Sequence, residues 1–325
     1  MTPLLDVEDL YVSYATRRRD ERVKAVDGVS FAVHEGETLG LIGESGSGKS
    51  TLGRALMRLV RPTAGTARLR GTDLVTLRGR AGREMSAHLQ MVFQDPHAAL
   101  DPRMRVLASI EEPLAIRRTG DRERRRARAL ELLDLVGLSR ELGARYPHEL
   151  SGGQKQRVNI ARALVLDPAL VVCDEAVSAL DVALQAEILE LLATLQSELG
   201  LAYLFITHDL SVVANIADRV AVMYLGRLME LGPVEQLVTR PRHPYTEALV
   251  SAQPRVGGDD GRERIVLQGD IPSPVHPPSG CRFRTRCRYA TQRCAEEVPA
   301  WRELGPGHRV ACHHADVLAL TGVGS

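Results

Sequence analysis

The sequence predicts an α/β protein: a buried, mostly parallel sheet core, an inserted α-helical subdomain and a small Cys-rich C-terminal appendix. Three observations carry this prediction. Short apolar runs alternate with helical patterns through most of the chain, as in a sheet buried on both faces. The segment from about Arg103 onward is helical and Arg-rich and lacks strand signals. Four of the five cysteines fall close together near the end. A length of 325 residues suits about two units.

In chain order, Val29 to Val33 and Thr38 to Ile42 read as strands, and Ser50 to Leu59 as a helix. Leu89 to Phe93 is the next strand. The helical lobe follows, over about 103–165, and its Arg122 to Arg128 run, interleaved with Glu123 and followed by Glu131, reads as a solvated helix face. Arg17 to Arg19 reads as an exposed loop. Lys155 to Leu166 is helical; Leu170 to Cys173, Ala202 to Ile206 and Arg219 to Met223 are strands. Between them, Leu184, Ile188, Leu191, Leu192, Leu195 and Leu199 follow helical spacing. Gly257, Gly258, Asp259, Asp260 and Gly261 read as a flexible joint, and a Pro-rich, loop-rich tail follows. The expected domains are 1–253 and 254–325.

Composition excludes several classes. The chain is 44% hydrophobic and 26% charged, which suits a packed core. Its apolar runs, such as Leu201 to Ile206, are far shorter than the ~20 residues of a spanning helix. Met1 to Leu10 carries Asp6, Glu8 and Asp9 and does not read as a signal peptide. A net charge of +1 argues against nucleic-acid binding through a global positive field, so no nucleic-acid partner is expected. Among 42 basic residues, only Lys24, Lys49 and Lys155 are lysines.

Lys49 lies in Gly43-Glu44-Ser45-Gly46-Ser47-Gly48-Lys49-Ser50, a full G-x-x-x-x-G-K-[ST] motif between a strand and a helix. Glycines let the backbone N–H groups face phosphates, and the helix N-terminus adds a positive dipole end. Lys49 supplies a point charge, and Ser50 a Mg²⁺ ligand. The apolar strand Leu170 to Cys173 runs into Asp174 and Glu175. Ligands of parallel sheets gather at the carboxyl ends of strands. There Asp174 suits Mg²⁺ and Glu175 suits activation of water. Cys173 reads as a small buried hydrophobe.

Leu150-Ser151-Gly152-Gly153-Gln154 opens a helix and makes a second anion-binding helix start. With it, the sequence resembles the nucleotide-binding subunits of ABC transporters over about Leu4 to Ala252. Leu150 to Gln154 matches the signature motif, Gln94 the Q-loop, Ser178-Ala179-Leu180-Asp181 the D-loop and His208 the switch histidine. Tyr14 is placed like the aromatic residue that stacks on adenine, with Tyr11 a neighbouring alternative. The resemblance implies a P-loop NTPase (ABC ATPase) fold with ATP held by Tyr14, Gly43, Glu44, Ser45, Gly46, Ser47, Gly48, Lys49, Ser50 and Thr51. It implies Mg²⁺ near Ser50, Gln94 and Asp174. Catalytic roles fall on Glu175, His208 and Gln94. Ser151, Gly152, Gly153 and Gln154, with Asp181 of the D-loop, would meet the ATP of a second ATPase subunit. Ala176-Val177 departs from the Pro-Thr or Pro-Val of many relatives and predicts at most an altered turn.

Met91 to Met104, Tyr146 to Gln154, His243 to Leu249 and Ile271 to Arg286 resemble the oligopeptide/dipeptide/nickel importers, more like the second of their two paired ATPase subunits. That resemblance implies an ATPase subunit energising peptide import, with nickel or another small solute as the alternative cargo and a soluble non-transport ABC ATPase as the more distant alternative. It implies two integral permease subunits, an extracytoplasmic solute-binding protein and a peripheral place on the cytoplasmic side of the membrane.

Cys281, Cys287, Cys294 and Cys312 are spaced C-x5-C-x6-C-x17-C. Disulfides are disfavoured for an ATP-hydrolysing subunit in reducing cytosol. Zn²⁺ suits four thiolates, although its closer C-x2-C pairs are missing, and a [4Fe–4S] cluster tolerates wider spacing. The importer resemblance implies the iron–sulfur cluster. His308, His313 and His314 lie near Cys312 and could substitute as ligands, but read first as surface residues. Arg282, Arg284, Arg286 and Arg288 read as charge balance for a thiolate cluster.

Overall fold

A computed structural model describes residues 2–16, 18, 21–95, 99–253 and 264–322. Pro96, Arg17, Arg19 and the expected joint at Gly257 to Gly261 lie outside these residues. The elements are β1 (Leu5–Ala15), β2 (Arg22–Val33), β3 (Thr38–Ile42), α1 (Lys49–Leu56), β4 (Ala64–Leu69), β5 (Thr72–Asp73), α2 (Gly79–Met85) and β6 (Leu89–Val92). Next come α3 (Val106–Arg117), α4 (Arg122–Leu135), α5 (Gly152–Leu164), β7 (Leu170–Asp174), α6 (Val182–Leu199) and β8 (Ala202–Thr207). The chain continues through α7 (Leu210–Ile216), β9 (Arg219–Tyr224), β10 (Arg227–Pro233), α8 (Val234–Thr239), α9 (Pro244–Ser251), α10 (Gln292–Glu296), β11 (Arg302–Gly305) and β12 (His308–Val310).

These elements form two compact units. The first comprises Met1–Val33, Thr38–Val75 and Phe205–Ser325. It contains an antiparallel sheet in the order β2-β1-β4-β5. It also contains β3 parallel to β9, then β10 and the hairpin β12–β11, each antiparallel to its neighbour. β3 is buried at every position. α7 lies so close to it that a Cβ on Gly40 would stand 2.4 Å from Val213 Cγ1.

The second unit comprises His34–Glu37 and Thr76–Leu204. Here β6 pairs in parallel with β7. β7 is buried at every position, and β6 buries Leu89, Met91 and Val92; each such apolar side chain contributes roughly 1.5–3 kcal/mol on burial. The helices α3, α4 and α5 lie in this unit. Arg122, Glu123, Arg124 and Arg126 face solvent and Arg125 is half-buried, while Ala129, Leu132 and Leu133 are buried. Asp121 caps α4 by accepting the Arg124 N–H at 2.8 Å. On α6 only Ile188, Leu192 and Leu195 of the apolar stripe are buried.

Two features depart from the sequence reading. The antiparallel sheet was not expected, because its strands are half buried and their polar residues break the apolar runs; β1 alternates acids with Leu5, Val7 and Leu10. The tail is not all loop, since β12 pairs with β10 through Glu230↔Val310 and Leu231↔Arg309.

Candidate functional site

In the first unit, the phosphate loop joins β3 to α1. Its shape needs glycine at two places. A Cβ on Gly43 would stand 2.1 Å from the Met223 carbonyl oxygen. Gly48 has φ +107, and its Cβ would stand 2.0 Å from the Ala25 carbonyl oxygen. Ser45 and Gly46 are exposed at the tip, while Ser47 is buried and Ser50 and Thr51 are half-buried. Lys49 is 4% exposed. Its Nζ donates to Gly43 O at 2.6 Å, Glu44 O at 3.0 Å and Ser47 Oγ at 3.4 Å. The ammonium is thus drawn into the curl of the loop, where a phosphate would gain a point charge.

Glu44 is held from far along the chain. Its backbone N–H donates to Tyr245 Oη at 2.8 Å. Its carboxylate accepts two N–H groups of Arg286, at 2.5 and 3.0 Å. Sequence reasoning missed both partners, which lie 201 and 242 residues away with no local signal.

His208 follows β8, is exposed, and lines a cleft of about 220 Å³ with Ile42 and Leu210. Asp209 beside it caps α7 by accepting the Ser211 N–H at 2.8 Å. Tyr14 pairs with Val23 across the β1–β2 ladder and is 38% exposed, as exposed as Tyr11.

In the second unit, parallel pairing sets the geometry. Val92 is in register with Cys173. Gln94 and Glu175 each lie two residues further on, and Gln94 Nε2 donates to Glu175 Oε2 at 2.6 Å. Asp174 is buried at the end of β7. Glu175 has φ +48, a left-handed conformation that costs an L side chain roughly 1–2 kcal/mol. Its carbonyl accepts the Ser178 N–H at 3.1 Å and Ser178 Oγ–H at 3.0 Å, which holds the turn. In the departing Ala176-Val177 pair, Gln156 donates to Ala176 O at 2.7 Å and Gln185 to Val177 O at 3.0 Å. Cys173 is fully buried, and burial pushes its thiol up to about 12.

The signature residues form a reciprocal cap on α5. Ser151 Oγ accepts the Gln154 N–H at 3.2 Å, and Gln154 Oε1 accepts the Ser151 N–H at 3.0 Å. Ser151 and Gly152 are exposed, whereas Gly153 is buried with Leu184 against it. Asp181 caps α6 by accepting the Leu184 N–H at 3.0 Å.

The four tail cysteines are free thiols. Burial raises Cys281 to about 11 and Cys287 to about 12, and raises Cys312 as well. Cys312 Sγ accepts the His314 backbone N–H at 3.4 Å. Such an N–H···S bond favours the thiolate over the thiol. Four cysteine side chains are a donor set of the kind that thiolate-ligated groups use. Among the described residues, no three His, Cys, Asp or Glu side chains are grouped so as to hold one metal ion.

Two expectations about the neighbours of the cysteines are corrected. His308 is buried, not on the surface, because Glu230, itself fully buried, lies 2.7 Å from its Nε2. The arginines mostly spend their charge on carboxylates rather than on sulfur: Arg282 pairs with Asp27, Arg286 with Glu44 and Arg288 with Glu247. Arg284 donates to Ser279 O at 3.0 Å.

A parallel sheet carrying this loop, a Gln–Glu pair beyond adjoining strands and a capped signature helix define an ATP-binding cassette. Comparison with known proteins agrees. Residues 26–178 match the ABC transporter family, and residues 229–294 match the oligopeptide/dipeptide transporter C-terminal region. The chain is 52% identical to the putative oligopeptide transport ATP-binding protein YkfD of Bacillus subtilis, over 96% of this chain and 95% of that one. It is 49% identical to the dipeptide transport ATP-binding protein DppF of Escherichia coli, over 97% and 95%. A dimeric ATP-binding cassette, MJ0796, in a post-hydrolysis state with ADP and phosphate, is 30% identical with a TM-score of 0.64, over 71% of this chain and 98% of that one. The chain belongs to the oligopeptide/dipeptide family of ABC transport ATP-binding proteins, whose cassettes are ATPases. No helix among the described residues is long and apolar enough to cross a membrane.

Proposed function

We propose that this chain hydrolyses ATP to energise import of di- and oligopeptides by an ABC transporter. The observation that carries the enzymatic part is the 2.6 Å contact from Gln94 to Glu175, which ties the group that senses the phosphate to the group that activates water. The peptide cargo is supported by the relatives, named for oligopeptide and dipeptide transport, and by the match of residues 229–294 to their C-terminal region.

In this reading the nucleotide domain spans 1–253, with the helical subdomain at about 103–165, and the extension spans 254–325. Tyr14 stacks on the adenine. The phosphate loop Gly43 to Gly48, with Lys49, Ser50 and Thr51, takes the phosphates. Ser50, Gln94 and Asp174 would hold Mg²⁺, which supplies charge neutralisation on the phosphate oxygens. Glu175 accepts a proton from the attacking water, and His208 holds that water in line with the γ-phosphate. Ser151 to Gln154, with Asp181, face the nucleotide of a second ATPase subunit. Two permease subunits and an extracytoplasmic binding protein complete the system, and the chain works peripherally on the cytoplasmic side of the membrane.

Cys281, Cys287, Cys294 and Cys312 would hold a [4Fe–4S] cluster, as a staple for a tail with little core of its own. The four cysteine donors of the tail are what supports this reading. Glu175→Gln should bind ATP and hydrolyse it about 100-fold more slowly, the scale of a lost general base. Near-normal turnover in the assembled transporter would refute the role of Glu175.

A further inference from the structure

We propose that the Cys281–Cys287 segment is a clamp on the phosphate loop, with Arg286 as a positioning residue for nucleotide binding. The proposal rests on the ATP-binding reading above and adds a determinant outside its motifs. Two arginines, four residues apart between two of the cysteines, lead to the two ends of the loop.

Arg286 reaches the first end directly. Its guanidinium grips the Glu44 carboxylate with two hydrogen bonds, at 2.5 and 3.0 Å. Two N–H donors in a fixed plane fix orientation as well as position, as a lysine would not. Arg286 is itself immobilised. Its side chain is 7% exposed, and its guanidinium lies 5.9 Å from the centre of the Tyr224 ring. Tyr224, Tyr245 and Phe283 pack on one another with ring centres 4.8 to 5.4 Å apart. Tyr245 then takes the Glu44 backbone N–H, so Glu44 is held at side chain and main chain together. The Glu44 carbonyl is one of the oxygens that seat Lys49 Nζ. Displacing Glu44 therefore displaces the cation meant for the phosphates.

Arg282 reaches the other end through one turn. It donates to Leu225 O at 3.0 Å and pairs with Asp27. Asp27 N–H donates to Gly226 O at 2.8 Å, and Gly226 N–H donates to Ser47 O at 2.8 Å. Ser47 lies in the second half of the phosphate loop, two residues before Lys49. One short segment of the tail thus fixes the loop before and after its exposed tip at Ser45 and Gly46. The loop motif alone gives no reason for these contacts, since its glycines, Lys49 and Ser50 meet the chemistry of phosphate binding without Arg286.

The test is titration of the full-length chain with a fluorescent ATP analogue, beside steady-state hydrolysis. Binding by the wild-type chain checks the ATP-binding reading by itself. Arg286→Ala should weaken nucleotide binding about 10-fold and raise KM in proportion, with kcat falling less than threefold. Arg286→Lys should recover only part of the loss, because it keeps the charge and loses the second hydrogen bond. Glu44→Gln should reproduce the defect in milder form, and the double variant should be no worse than Arg286→Ala, because both act through one contact. Should Arg286→Ala fold poorly, Glu44→Gln leaves the tail intact and carries the test. Wild-type affinity in folded Arg286→Ala or Glu44→Gln, or additive losses in the double variant, would overturn the clamp.

Discussion

At the residue scale, Lys49 shows what a sequence motif states and what it omits. The glycines, lysine and serine of the phosphate loop are legible because each answers to a local need of the backbone or of the phosphate. The oxygens that seat the ammonium, on Gly43, Glu44 and Ser47, are legible only in three dimensions. Lys49 is 4% exposed, and its ammonium is seated as a compact point charge on three oxygens, a geometry that a planar guanidinium does not reproduce. Lys49→Arg should keep the charge and still lose at least 10-fold in ATP affinity, measured by titration. Wild-type affinity would mean that charge alone matters there. Glu175 is a second case. Its acid identity follows from its place after an apolar strand, but its left-handed backbone has no signature in a non-glycine residue. The contact with Gln94 was within reach of the sequence, because parallel register sets residues two beyond Val92 and two beyond Cys173 level.

At the element scale, legibility follows burial. β3, β7 and β8 are buried at every position and read as continuous apolar runs. β10 is nearly as buried yet carries Glu230, which breaks the run. Glu230 is tolerated because it accepts the backbone N–H groups of Arg242 and His243, at 2.8 and 3.0 Å, and meets His308. A charged residue inside a strand is unreadable until those partners are known. The start of α9 carries a related device. His243 caps it, its Nδ1 accepting the Tyr245 N–H at 3.0 Å. Burial pushes the His243 imidazole down to about 3 from its ordinary 6.5. Below pH 6.5 the unfolded chain therefore takes up a proton that the folded chain refuses, and stability is lost as pH falls from 6.5 toward 3. The loss is about 1.4 kcal/mol per pH unit for this group, or about 2 kcal/mol at pH 5. Asparagine also caps helices but does not titrate. The stability of His243→Asn, followed by denaturant melts from pH 7 to pH 5, should decline about 2 kcal/mol less than that of the wild type. Parallel curves would show that His243 does not carry this acid sensitivity.

At the scale of the whole molecule, net charge and length exclude more than they assign. A near-neutral chain without a spanning helix among its described residues fits an ATPase whose anion sites are local helix ends. The tail is the least legible part. Its cysteines stand out by spacing, but its strands are short, and its arginines serve Asp27, Glu44 and Glu247 instead of balancing sulfur. Chain purified under anaerobic conditions should be brown and hold about four irons. Stoichiometric zinc without iron would replace the cluster by a single tetrathiolate ion.

The central claim is that hydrolysis at Glu175 drives peptide uptake. It is tested most directly by peptide-stimulated ATP hydrolysis in the reconstituted transporter, with its permeases, second ATPase subunit and binding protein. The wild-type chain should hydrolyse ATP faster when peptide-loaded binding protein is added, and Glu175→Gln should abolish that increment while still binding ATP. Stimulation that persists in Glu175→Gln, or a wild-type rate indifferent to peptide, would contradict the account.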